Sequence, residues 1–230
     1  MSAFVLVHGI CHGAWCWDAT AEELRRRGHD VIAVDLPLTG LDADAGVVQQ
    51  ALDQVDGPAV LVGHSYGGLV ISTAAGRDDV EHLVYVAAVM LDEGDVFATR
   101  MAEFPDAPIA ELVELTEDGY LIVRPEAAVA CFYNECEASE AREAAERMRP
   151  TAFACLGAAT AAEPWRTIPS TYVLCERDLA IHPDLQHWMC TRAGTVVAFD
   201  TDHSPFMSTP DPFVDVLDDV ASGPSAGRGG

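Results

Sequence analysis

The stretch Ala59-Val60-Leu61-Val62-Gly63-His64-Ser65-Tyr66-Gly67-Gly68-Leu69-Val70 constrains this chain more than any other. Its apolar opening reads as a buried strand, and the apolar run after Gly68 reads as a helix. Between them, Gly63-His64-Ser65-Tyr66-Gly67 has the G-x-S-x-G spacing of a serine raised on a sharp strand-to-helix turn. Two positions either side of that serine, any side chain would collide with its counterpart and with the sheet, so glycine is needed at both. The turn also sets Ser65 at a helix N-terminus, where backbone N–H groups can face a developing oxyanion. A chance match or a phosphate-binding glycine loop would share the bare pattern. The strand before and the helix after make Ser65 the candidate nucleophile.

The same strand-helix rhythm runs through most of the chain. Residues 3–7 predict a short buried strand, 17–27 a helix capped by Gly28, and 31–34 a second strand. A helix near 45–54 leads to the strand before Ser65, and 81–88 predict a fourth strand. The rhythm returns at 171–175 and 195–199, and Asp211-Pro212 predicts the start of a last helix, with Asp211 as its N-cap. Six apolar strands with interleaved helices imply a mostly parallel, doubly wound α/β sheet covered on both faces.

From 89 to 163 the pattern changes, with Pro105, Pro108, a hairpin predicted around Asp118-Gly119 and a charged helix over 139–148. This reads as a cap inserted between two strands of the sheet and lying over Ser65. Residues 1–88 and 164–221 then form the core, and the Gly- and Ser-rich residues 222–230 predict a disordered tail.

Composition narrows the chemistry. The net charge of −24 argues against a nucleic-acid partner and against anionic membranes. All 13 basic residues are arginine, which removes Schiff-base chemistry and a P-loop lysine together. The seven cysteines show no CxxC spacing and sit mostly in apolar runs, so buried thiols in a cytoplasmic protein are expected. The chain enters a strand at once, so no signal peptide is expected, and no span of about 20 apolar residues occurs in the sequence. No metal-ligand spacing or dinucleotide fingerprint is present, so no cofactor is expected. A monomer or homodimer is expected.

A serine needs a base to take its proton. Of eight histidines, His203 follows the last strand and so reaches the carboxyl edge of the sheet, where Ser65 also lies. His82 and His29 fall at the opposite edge, His182 and His187 read as helix surface, and His8, His12 and His64 as scaffold. Asp178, directly after the penultimate strand, is the candidate acid; Glu176 and Asp92 are its rivals. The order Ser65, Asp178, His203 is that of the α/β-hydrolase fold. The backbone N–H groups of Ile10, after the first strand, and of Tyr66, after the nucleophile, are the candidate oxyanion hole.

These residues resemble the plant methylesterase and hydroxynitrile lyase family of α/β-hydrolases and its small bacterial esterase relatives. The matching segments are Phe4 to Trp15, Gly28-His29, Asp35-Leu36, Leu61 to Gly68, Asp178, Leu185 to Trp188 and Asp202-His203, with Phe132 to Cys136 similar to bacterial members. The resemblance implies ester hydrolysis rather than cyanohydrin cleavage. The lyases place a threonine where Gly9 stands, a lysine where Ser204 stands and an acidic residue where His64 stands. The esterases commonly place a methionine at 204, a position Met207 could serve here.

The expected substrate is a small to medium apolar or aromatic carboxylic ester. Phe97, Met101, Phe104, Leu112, Tyr120, Phe132, Tyr133 and Trp165 are candidates for its pocket, and the resemblance adds Gly9 and Met207. Two alternatives stay open: a dedicated lactonase, thioesterase or cyclase acting on a polyketide-like intermediate, and a ligand-binding protein on the same fold.

Overall fold

Alternate residues along each inner strand pack on opposite faces of one sheet. In the computed structural model, which describes residues 2–223, the strands are β1 Ala3–Val7, β2 Asp30–Val34, β3 Ala59–His64, β4 Val80–Val86, β5 Val113–Leu115, β6 Tyr120–Val123, β7 Thr151–Ala152, β8 Ser170–Cys175 and β9 Thr195–Phe199. Six of these pair in parallel in the order β2-β1-β3-β4-β8-β9. Val5, Val7, Leu61, Tyr85 and Leu174 enter one buried cluster, and Phe4, Leu6, Val62, Val84 and Val173 the other.

The helices, in chain order, are α1 Asp18–Arg26, α2 Leu41–Leu52, α3 Gly67–Ala74, α4 Phe97–Met101, α5 Pro125–Cys131, α6 Ala138–Glu146, α7 Ala154–Gly157, α8 Pro183–Cys190, α9 Pro205–Ser208 and α10 Pro210–Ser222. The first cluster is covered by Val48 of α2, Leu69 of α3 and Leu185 of α8; the second by Leu24 of α1 and Phe213 and Leu217 of α10. This is the predicted doubly wound α/β sheet of the α/β-hydrolase fold. Two-sided burial holds for the inner strands only: β2 and β9 are edges, and Val196 is 46% exposed.

Segment 89–163 lies between β4 and β8, which are neighbours in the sheet. It folds as α4 to α7 with an antiparallel sheet β5-β6-β7. Gly119, at φ 84°, turns the expected hairpin. The pairing of β7 with β6 was not legible, because two residues give no alternation to read. Small residues, Ala128, Ala141, Ala144 and Ala145, let α5 and α6 approach closely in a cluster of their own.

Several boundaries differ from expectation; β4 ends at Val86 and not at 88, and α6 at Glu146 and not at 148. α2 begins at Leu41, four residues early, because Leu41 already lies on its apolar stripe with Ala45 and Val48. α10 begins at Pro210, with Thr209 at the cap position, so Asp211 is not the N-cap. The rigid φ of Pro210 suits the first helical position, and Asp211 then favours the positive helix end from inside the first turn. Ser222, expected in the tail, closes α10; residues 224–230 lie outside the described residues. All seven cysteines are free thiols, and among the described residues no helix is long and apolar enough to cross a membrane.

Candidate active site

Four strands of the parallel sheet, β1, β3, β8 and β9, end at one edge, and each is followed by a residue of the expected site. Ser65, after β3, has φ +54°, a left-handed backbone that costs a non-glycine residue about 1–2 kcal/mol. Its N–H donates to the Val86 carbonyl at 3.0 Å, and its carbonyl accepts from Gly68 and Val89, each at 3.0 Å. The glycine pattern has a measurable cause. A Cβ on Gly63 would lie 2.5 Å from the Gly67 carbonyl oxygen, and one on Gly67 2.6 Å from that of Val7. Gly68 is equally confined, at 2.5 Å from the Val89 oxygen.

His203 Nδ1 lies 2.6 Å from Asp178 Oδ2, and both side chains are buried. Because Nδ1 engages the carboxylate, Nε2 is the nitrogen left for the cavity that His203 and Ser65 both line. The two side chains share that wall without a hydrogen bond between them. Asp178 is fully engaged: Oδ1 accepts from the N–H groups of Ala180 at 2.7 Å and Ile181 at 2.9 Å, and Oδ2 also accepts from Gln186 Nε2 at 2.7 Å. Four donors on one carboxylate fix its orientation, and with it the ring. The rivals are engaged elsewhere. Glu176 pairs with His187, and Asp92 with Arg192.

Ile10 and Tyr66 line the same cavity, and among the described residues neither backbone N–H has a protein acceptor. The Tyr66 side chain turns away, its hydroxyl donating to Asp44 Oδ2 at 2.7 Å. Burial, then the Asp44 carboxylate, push that phenol well above its ordinary range. Asp44 is itself buried and accepts from the Leu38 N–H at 2.8 Å, so it ties α2 to the turn after Ser65.

The cavity measures about 290 Å³. Of the expected pocket residues, Phe97, Met101 and Phe132 line it, and Phe132 lies over the His203 ring with centroids 5.5 Å apart. The remaining seven are corrected, and of these Phe104, Leu112 and Tyr120 simply lie outside the lining. Gly9 does not line the cavity; it gives clearance, since a Cβ there would meet Ser65 Cβ at 2.8 Å. Tyr133 is buried away from the cavity, with its hydroxyl 2.8 Å from His12 Nε2, because consecutive residues at the end of α5 face different ways. Trp165 packs on the core, its indole donating to the Leu91 carbonyl at 3.3 Å. Met207 is carried by α9 into a separate groove beside Trp15 and Arg147.

The histidines resolve by position. His29 pairs with Asp218 and His82 with Thr171, both away from the cavity. His64 Nε2 donates to the His203 carbonyl at 3.0 Å, and burial holds the His64 ring well below its ordinary pKa. Burial likewise pushes His12 down to about 3. His182 is the exception to expectation: it caps the start of α8 and lines the cavity. Two further residues were missed. Gln186 carried a signal, a polar residue beside the apolar Leu185 and Met189 of a short helix. Asp44 sits on the apolar stripe of Leu41, Ala45 and Val48, hidden by placing the helix start too late.

A model of the alpha/beta hydrolase family matches residues 4–216. Methylesterase 18 of Arabidopsis thaliana is 29% identical, over 95% of this chain and 97% of its own length. Norfluorocurarine synthase 1 of Strychnos sp is 26% identical, over 95% of this chain and 94% of its own. A solved pyrethroid hydrolase from Sphingobium faniae JZ-2 shares the fold, with a TM-score of 0.82 at 22% identity, covering 97% of this chain and 98% of that one.

Proposed function

The chain belongs to the alpha/beta hydrolase family, and on that premise we propose that it is a serine esterase cleaving small to medium apolar or aromatic carboxylic esters through an acyl-enzyme. The observation that carries this reading is the buried 2.6 Å contact of His203 Nδ1 with Asp178, on an imidazole that shares its cavity with Ser65. In this reading Ser65 Oγ attacks the ester carbonyl as His203 Nε2 takes its proton, and Asp178 stabilises the imidazolium. The Ile10 and Tyr66 N–H groups hold the oxyanion of the tetrahedral intermediate. His203 then protonates the departing alcohol, and in the second half activates water against the acyl-enzyme.

The largely apolar lining supports an apolar substrate, with Phe97, Met101, Phe132, Ile181 and Leu185 among its walls. Gly9, where the lyases place a threonine, supports hydrolysis over cyanohydrin cleavage. A plant methylesterase among the relatives points the same way.

One observation favours a second reading. The similarity to norfluorocurarine synthase 1 is consistent with a dedicated biosynthetic substrate on the same triad. Incubating the protein with a panel of p-nitrophenyl and methyl esters and weighing the acyl-enzyme separates the two. Brisk turnover of several esters, with a Ser65 adduct absent from Ser65→Ala, supports the esterase. No turnover despite phosphonate labelling of Ser65 supports the dedicated enzyme, and labelling of the alanine variant would sink both.

A further inference from the structure

We propose that Arg149 and Tyr133, both in the segment between β4 and β8, are positioning residues that set the backbone amide of Ile10 for oxyanion binding. The inference rests on the hydrolase reading of Ser65 and extends it to residues outside the parallel sheet. The loop after β1 is strained: Cys11 has φ +61°, left-handed for a residue with a side chain. Such a conformation persists only where its surroundings over-determine it, and here those surroundings are the cap segment. Thr151 Oγ accepts from the Cys11 N–H at 2.8 Å, and the Arg149 N–H donates to the Cys11 carbonyl at 2.9 Å. The Arg149 guanidinium donates through Nε to the His12 carbonyl at 2.7 Å and through Nη2 to the Leu36 carbonyl at 2.7 Å.

The second tether is a relay. The Ile10 carbonyl can only accept, so His12 Nδ1, 2.8 Å away, carries the proton and donates. His12 Nε2 is then the acceptor for the Tyr133 hydroxyl at 2.8 Å. Tyr133 thus selects the tautomer that holds the Ile10–Cys11 peptide, adjoining the Gly9–Ile10 peptide that carries the oxyanion N–H. His12 and Tyr133 are both buried, and each polar atom of the relay has its partner, so losing one donor frees the ring to change tautomer and release the Ile10 carbonyl.

Labelling of Ser65 by a fluorophosphonate tests this, because the attack builds negative charge on the phosphoryl oxygen and needs no knowledge of the natural substrate. Tyr133→Phe is expected to lower the maximal labelling rate about 10-fold and Arg149→Met about 30-fold, each with the half-saturating reagent concentration unchanged within twofold. Protection against labelling by an alkyl trifluoromethyl ketone should weaken by the same factors. Arg149→Lys, which can still donate to the His12 carbonyl, should recover part of the rate, and the exposed Arg124→Met should label as wild type. Should Arg149→Met fail to fold, the near-isosteric Tyr133→Phe decides alone. Wild-type rates and ketone protection in Tyr133→Phe would overturn the inference while leaving the hydrolase reading intact. A wild-type protein that does not label at Ser65 would overturn both.

Discussion

Gly9 passes so close to Ser65 that a Cβ on one would sit 2.8 Å from the Cβ of the other. Both belong to buried backbone at strand ends, so neither can yield without moving a strand. Gly9→Ala should therefore displace the nucleophile, and a shift of a few tenths of an ångström to 1 Å costs up to about 100-fold in rate. Phosphonate labelling of Gly9→Ala, set beside Gly76→Ala where the added methyl meets open space, checks this. Equal rates in the two variants would remove the steric account.

Asp178→Asn keeps the shape of the acid and removes its charge, leaving His203 in the wrong tautomer. A fall of about 10,000-fold in kcat is expected from the loss of an oriented base. Gln186→Leu should act through the same carboxylate but more gently, about 10-fold in kcat, by removing the 2.7 Å donor to Oδ2. It also strips the Cys175 N–H of its acceptor, so melting should fall by the equivalent of about 1–3 kcal/mol. Steady-state kinetics with thermal melts on both variants distinguish a charge effect from an orientation effect.

The cavity of about 290 Å³ should reward acyl length until it is filled. Each methylene buried contributes about 0.8 kcal/mol, or roughly fourfold in kcat/KM. Across p-nitrophenyl acetate, butyrate, hexanoate and octanoate the wild type should rise and then level. Leu156→Trp, which adds bulk to the lining, should move the plateau to a shorter chain. An unchanged profile would place the acyl group outside this cavity.

Burial keeps His12 neutral, with its pKa pushed from 6.5 to about 3. The unfolded chain binds a proton at that ring below its ordinary pKa near 6.5, while the folded one resists until about 3. Stability is therefore full above that range and is lost as pH falls from about 6.5 towards 3. His64, also depressed by burial, adds to the same slope. Melting temperatures between pH 7.5 and 4 should fall steadily, and less steeply in His12→Asn; an identical slope would exclude His12 as a source.

Much of the candidate site was legible because its signals are local. Gly63, Gly67 and the strand before them announce Ser65, and Asp178 and His203 each directly follow a strand whose apolar run is plain in the chain. Parallel strands place such loops at one edge whatever the intervening residues do. The oxyanion candidates Ile10 and Tyr66 followed from the same rule.

Within segment 89–163 that rule lapses. Phe132 faces His203 while Tyr133 beside it faces His12, and no periodicity distinguishes them, because the short helix before them has already ended at Cys131. Trp165 looks like a pocket residue as an aromatic, and Met207 through the family resemblance, yet each packs elsewhere. His182, Gln186 and Asp44 gain their places only when α8 and α2 fold back on the strand ends. The sequence by itself determined the sheet, its order of candidate catalytic residues and the turn that lifts Ser65, since these depend on steric limits within a few residues. Which side chains wall the cavity, and which hold the loop carrying Ile10, only the tertiary structure decided, because those contacts join residues more than a hundred positions apart, such as Cys11 with Arg149 and Thr151.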